Sequence, residues 1–148
     1  MQFMTVYLNF DGNALEAFES YRSLFGGEFD GVLRFRDFGD NEMGVPEADL
    51  DRIAHISLPL VNGIGLMGSD VAGPQAGEFR AGTNVYIYLE TDSAAEADRV
   101  FEGLSAGGTV EMPPQPTAWA EKYGMVVDRF GVQWIVSYTG DVEFSLGG

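Results

Sequence analysis

The 148-residue chain has no cysteine, one histidine and one lysine. Without cysteine there is no disulfide, no thiol nucleophile and no cysteine-based metal site. No apolar run approaches the roughly 20 residues that a membrane-spanning helix needs. The first ten residues, Met1 to Phe10, lack the basic start and small-residue cleavage site of a secretory signal. A cytoplasmic location is the simplest expectation. Basic residues are also scarce: 8 Lys and Arg stand against 23 Asp and Glu, a net charge of −15. Lys122 is the only lysine, and the arginines are scattered rather than clustered. An acidic surface of this kind repels phosphate backbones and anionic lipid head groups, so nucleic acid and membranes are poor partners. The acid excess reads as a solubility feature.

What the chain does contain, it contains twice. "TVYLNF" (Thr5 to Phe10) alternates as a strand, and "NALEAFESYRSLFGG" follows as a helix. Asn13 is placed to cap that helix with Glu16 at capping-box spacing, and Leu15, Phe18, Tyr21 and Phe25 form its apolar stripe. Gly26-Gly27 suits the exit. Later, "NVYIYLE" (Asn84 to Glu90) is again a strand, and "SAAEADRVFEGLSAGG" is again a helix. Ser93 and Glu96 form its capping box, Ala97, Val100, Phe101 and Leu104 its stripe, and Gly107-Gly108 its exit. Three strand-like segments follow each helix. They are "EFDGVLRFRDF", "RIAHISLPL" and "GIGLMGS" in the first half, then "GTVEMPP", "YGMVVDRF" and "VQWIVSY" in the second. The expected fold is therefore α+β, two βαβββ modules with curved mixed sheets. Residues 1–70 form the first module, 71–83 a linker, 84–140 the second module and 141–148 a tail, all within one structural domain. The acidic stretch from Asp37 to Arg52 reads as a solvated loop.

Strand alternation sorts the candidate site residues. On "RIAHISLPL", Ile53, His55 and Ser57 share one face, while Ala54, Ile56 and Leu58 take the helix-packed side. Tyr7 shares a face with Asn9, and Tyr86 with Tyr88 and Glu90. A sheet that is aromatic and polar on one side and aliphatic on the other suits a binding cleft, though such tyrosines also fill barrels and dimer interfaces. His55 is either a hydrogen-bonded cleft residue or a general base, since imidazole titrates near neutral pH. "DRFG" (Asp128 to Gly131) reads as a hairpin turn, with Asp128 bonding nearby amides and Gly131 at positive φ. "GIGLMG" (Gly63 to Gly68) matches a dinucleotide fingerprint in letters only, because a glycine-rich linker rather than a helix follows it.

Three segments in order, "YLNFDGNALEAFESYRSLFGGE", "HISLPLVNGIGLMGSD" and "WAEKYGMVVDRFGVQWIVSY", carry a resemblance over nearly the whole chain. The sequence resembles a PhnB-like member of the vicinal oxygen chelate superfamily, which includes glyoxalase I, extradiol dioxygenases and bleomycin-resistance proteins. The resemblance implies βαβββ modules assembled around an open cleft, paired within one chain or exchanged between two, and usually a homodimer. It places Trp119 near the cleft mouth, where it could cover a flat ligand while Glu121 or Lys122 holds a polar end. Some relatives bind a divalent metal at positions that align here with Tyr7, Met67, Tyr86 and Ile135, none of which is a usual ligand for zinc, nickel or iron. No cofactor is therefore expected. The alternative is a non-standard divalent metal site joining His55 to Glu90. The leading expectation is a metal-free protein that binds a hydrophobic or aromatic small molecule. The alternatives are a lyase, isomerase or dioxygenase-type enzyme, and a domain whose main property is dimerisation. The methyltransferase activity often attached to PhnB-like names finds no S-adenosylmethionine loop here.

Overall fold

Both halves of the chain alternate short strands with one helix, and each half builds its own sheet. A computed structural model describes residues 1–143. The expected tail therefore lies, from Phe144 onward, outside the described residues. The contacts divide the chain into two compact units, one ending at Arg80 and the other beginning at Ala81.

In the first unit the order is β1 (Val6–Phe10), α1 (Ala14–Phe25), β2 (Gly31–Arg34), β3 (Ile53–Pro59) and β4 (Gly65–Asp70). The sheet runs β1-β4-β3-β2, parallel between β1 and β4 and antiparallel elsewhere, and is not closed. Ala14, Ala17, Phe18 and Tyr21 are the buried residues of α1, with Phe10, Ile56, Leu58 and Leu66 among the buried core residues of the same unit. Leu15 and Phe25, expected in the stripe, are only half-buried. Gly68 makes the close packing possible, because a Cβ there would lie 2.8 Å from the Phe18 ring.

The start of α1 corrects the expected cap. Asn13 makes no side-chain cap bond. Asp70, at the end of β4, accepts instead from the N–H groups of Gly12 and Ala14 with Oδ1 (2.9 Å each) and from Ile53 N–H with Oδ2 (2.8 Å). A buried carboxylate thus satisfies helix-entry amides that a local side chain would otherwise serve.

The stretch from Asp37 to Arg52 is, as expected, a largely exposed loop, but one with more fixed points than its composition suggests. Phe35–Phe38 forms a 3-10 turn, and the expected solvated loop is pinned at several points. Asn41 closes a ring with Val45, its Nδ2 donating to Val45 O and its Oδ1 accepting from Val45 N, both at 2.8 Å. Arg36 pairs with Asp51 and Glu47, and Val45 and Leu50 are buried. Apolar anchors spaced through an acidic stretch hold it against the unit.

The second unit repeats the plan: β5 (Ile87–Glu90), α2 (Ala94–Ser105), β6 (Thr109–Gln115), β7 (Lys122–Val127) and β8 (Gln133–Tyr138). Its sheet order is β5-β8-β7-β6, parallel between β5 and β8, and this sheet too is open. Here the local cap does form, with Ser93 Oγ accepting from Glu96 N–H at 3.0 Å. Glu96 reaches back to Asp92 N–H rather than to the cap residue. Asp128 closes the last hairpin as expected: Oδ1 accepts from Phe130 and Val132 N–H, Oδ2 accepts from Trp134 Nε1, and Gly131 has φ 89°.

Candidate functional site

The face of the first sheet turned away from α1 gathers four of the expected residues, Tyr7, Asn9, His55 and Ser57. Cross-strand register puts Tyr7 beside Met67, Met67 beside Ser57, and Asn9 beside Ser69. Tyr7 and His55 meet on this face: Oη lies 3.1 Å from Nδ1, and the rings stack with centroids 5.7 Å apart at 28°. Tyr7 remains 46% exposed, so a ring face is open to a ligand. Asn9 accepts from Ser69 Oγ at 3.1 Å, and Ser57 is buried beside Met67.

One face assignment from alternation fails. The β2–β3 register slips between Leu33, opposite His55, and Arg34, opposite Ile53. Such a bulge turns two successive residues toward one side. Ile53 is buried, while Ala54 lines the same hollow as Asn9 and Ser69. Simple alternation reverses these two.

That hollow measures about 930 Å³. Its floor includes Asn9, Ala54 and Ser69, and the pinned loop supplies Phe35, Phe38, Met43 and Val45. Charge alone does not reveal this wall. Its signal in the sequence is Phe38, Met43 and Val45 inside an otherwise acidic run, with Phe35 just before it.

The second unit brings together Tyr88, Glu90 and Ser137. Tyr88 Oη donates to Glu90 Oε2 at 2.9 Å, and Thr139 N–H donates to Oε1 at 2.6 Å. Burial alone would raise the Glu90 pKa, but donors from Thr139 and Tyr88 outweigh it and hold the carboxyl below its ordinary range. For Tyr88, burial first and the neighbouring carboxylate next raise the phenol. Ser137 Oγ is fully buried and close enough to favour ionised Glu90, yet among the described residues it meets no partner in hydrogen-bond geometry. Tyr86 lies outside β5 and turns to a different carboxylate. Its Oη donates to Glu111 Oε1 at 2.6 Å, and that bond raises the phenol pKa. Trp119 is 43% exposed and packs edge-on against Tyr123. Lys122 is occupied by Asp98, and Glu121 accepts from Asp141 N–H.

The metal-equivalent positions can be tested on register. Tyr7 pairs with Met67, but Tyr88, not Tyr86, pairs with Ile135. Phenol, thioether and alkyl side chains do not fit the imidazole and carboxylate donor set of such a centre. Among the described residues, no group of three or more His, Asp or Glu side chains is placed to hold an ion. Both Glu90 oxygens already accept hydrogen bonds.

The sequence model of the 3-demethylubiquinone-9 3-methyltransferase family matches residues 2–137. The chain belongs to this family. A solved relative, protein PA1353 from Pseudomonas aeruginosa, is 38% identical, covers 94% of this chain and all of its own, and superposes with a TM-score of 0.76. The PhnB protein from Bacillus cereus is 27% identical over 93% of this chain and 99% of that one, with a TM-score of 0.74. FosX, the fosfomycin resistance protein from Listeria monocytogenes, shares the fold alone, at 11% identity, 96% and 95% coverage and a TM-score of 0.63. The expected PhnB-like membership and vicinal oxygen chelate fold are thereby established. The family name does not establish a methyltransferase activity. In this chain "GIGLMG" runs from a turn into β4, not from a strand into a helix. No helix among the described residues is long and apolar enough to cross a membrane.

Proposed function

We propose that this chain is a metal-free, homodimeric, cytoplasmic small-molecule-binding protein of the superfamily. It holds a hydrophobic or aromatic compound against the open face of the first unit's sheet. The stacked Tyr7–His55 pair, with Tyr7 exposed and His55 half-buried, carries the reading. A flat ligand gains from stacking on these rings, and the adjoining hollow is large enough to take its body. Trp119 and Tyr88 are further exposed aromatics on the second unit.

The test is a thermal-shift screen of a broad panel of aromatic and hydrophobic compounds. A ligand of the folded state raises the melting temperature by mass action. The expected hit loses its effect in Tyr7→Ala, and a panel without any shift sinks the reading. Metal analysis of untagged protein accompanies it, with melts in nickel, zinc, manganese and iron(II). About one ion per chain, lost in His55→Ala, would overturn the metal-free assignment.

The same contact favours a second reading, in which His55 is a general base oriented by Tyr7. That role needs a free ring nitrogen facing the substrate. Turnover that survives His55→Ala unchanged would end it.

A further inference from the structure

We propose that the hollow of the first unit selects an organic cation, a hydrophobic or flat compound bearing a protonated amine. This rests on the small-molecule reading above and adds the sign of the ligand's charge. The volume, about 930 Å³, falls within the range of small-molecule sites.

Three carboxylates line the hollow, Asp40, Glu42 and Asp70, and among the described residues no Lys, Arg or His does. Asp70 is spent on backbone, since its two oxygens accept from Gly12, Ala14 and Ile53. Asp40 and Glu42 are different. Among the described residues neither has an ion-pair partner, although three arginines stand nearby in sequence. Arg34 donates to Asp51 O, Arg36 pairs with Glu47 and Asp51, and Arg52 pairs with Asp11 and Asp49.

Carboxylates alone would be an ordinary solvated patch. Here they sit on a loop whose apolar side chains wall a hollow, and the Asn41–Val45 ring and buried Val45 hold that loop in shape. A ligand whose body fills the apolar part displaces water from beside the carboxylates. The attraction between their charge and an ammonium then exceeds its value in open solvent. An anion meets repulsion at the same place, and Asn9 and Ser69 leave the floor polar but neutral.

The test uses the full chain and one ring in three charge states: 2-naphthylmethylamine, 2-naphthylmethanol and 2-naphthoate. Binding is read by calorimetry at low and at physiological salt. The amine is expected to bind about tenfold more tightly than the alcohol, with the naphthoate weakest. Asp40→Asn combined with Glu42→Gln should bring the amine to the level of the alcohol and leave the alcohol unchanged. Glu19→Gln combined with Glu28→Gln removes the same charge from exposed positions outside the hollow and should keep the preference. Equal binding of amine and alcohol overturns the proposal but leaves the small-molecule reading standing. Equal loss of preference in both double variants assigns it to the whole-protein field and overturns the proposal too. No binding of any of the three overturns it, and only an empty broad panel ends the small-molecule reading as well.

Discussion

Tyr7 and His55 fix one another on the open face of the first sheet, with Oη 3.1 Å from Nδ1 and the two rings stacked. A phenol is the better donor of the two, which predicts that Tyr7 O–H donates to Nδ1 and that the ring proton sits on Nε2. The histidine then offers a ligand a donor, not a basic lone pair. Nitrogen-15 spectra of the neutral imidazole should show the Nε2–H tautomer in the native chain. Tyr7→Phe keeps the stacking but removes this bias, at a stability cost of about 0.5–1 kcal/mol. A native Nδ1–H tautomer would instead leave Nε2 free and favour the general-base reading.

The two helices begin by different means, and the difference is measurable. Ser93→Ala removes a real cap bond and should cost about 1 kcal/mol in urea unfolding. Asn13→Ala, with no cap bond to lose, should cost at most a few tenths. Asp70→Ala is expected to be far worse, about 3 kcal/mol or more, because it leaves buried N–H groups of Ala14 and Ile53 unpaired. Equal effects for Asn13→Ala and Ser93→Ala would contradict the assigned caps.

This contrast shows where the sequence was legible. Strand and helix periods repeat within a few residues, so both βαβββ units and the outward face of Tyr7, Asn9 and His55 could be read directly. Asp70 acts on residues 17 and 56 positions away, and no local rule reaches that far. Short-range capping chemistry therefore pointed to Asn13. The bulge at Ala54 was hidden for the same reason, since only pairing with β2 defines it. The acidic run from Asp37 is solvated along most of its length, yet Phe38, Met43 and Val45 within it, with Phe35 just before, wall the hollow, which charge-dominated composition does not reveal. In the second unit, pairing across β5 and β8 set Tyr88 where spacing had suggested Tyr86.

Each helix lays a phenylalanine ring over a strand glycine. A Cβ at Gly124 would lie 2.7 Å from the Phe101 ring, and one at Gly68 would lie 2.8 Å from Phe18 and 2.6 Å from Leu8 O. Gly124→Ala and Gly68→Ala should each destabilise by about 1–3 kcal/mol through overpacking. The two sites differ in what relieves them. Phe101→Leu should recover part of the Gly124→Ala loss, whereas Phe18→Leu leaves the Gly68 clash with backbone in place. A double-mutant cycle in each unit reads the difference. Full rescue at Gly68 would mean that Leu8 backbone yields freely.

Glu90 gives stability an acid dependence with a definite sign. Its folded carboxyl titrates below the ordinary value of 4.5, because donors from Thr139 and Tyr88 outweigh burial. A group depressed in this way stabilises the fold fully above its unfolded pKa, and the contribution fades as pH falls through the folded one. The native chain should therefore lose stability below about pH 4.5 more steeply than Glu90→Gln, which has no proton to take up at this site. The effect is small because the side chain is largely exposed. Tyr88→Phe removes one of the donors and should fall between the two. Melting curves at steps from neutral to acid pH decide it. Parallel acid limbs for all three proteins would remove Glu90 from the account.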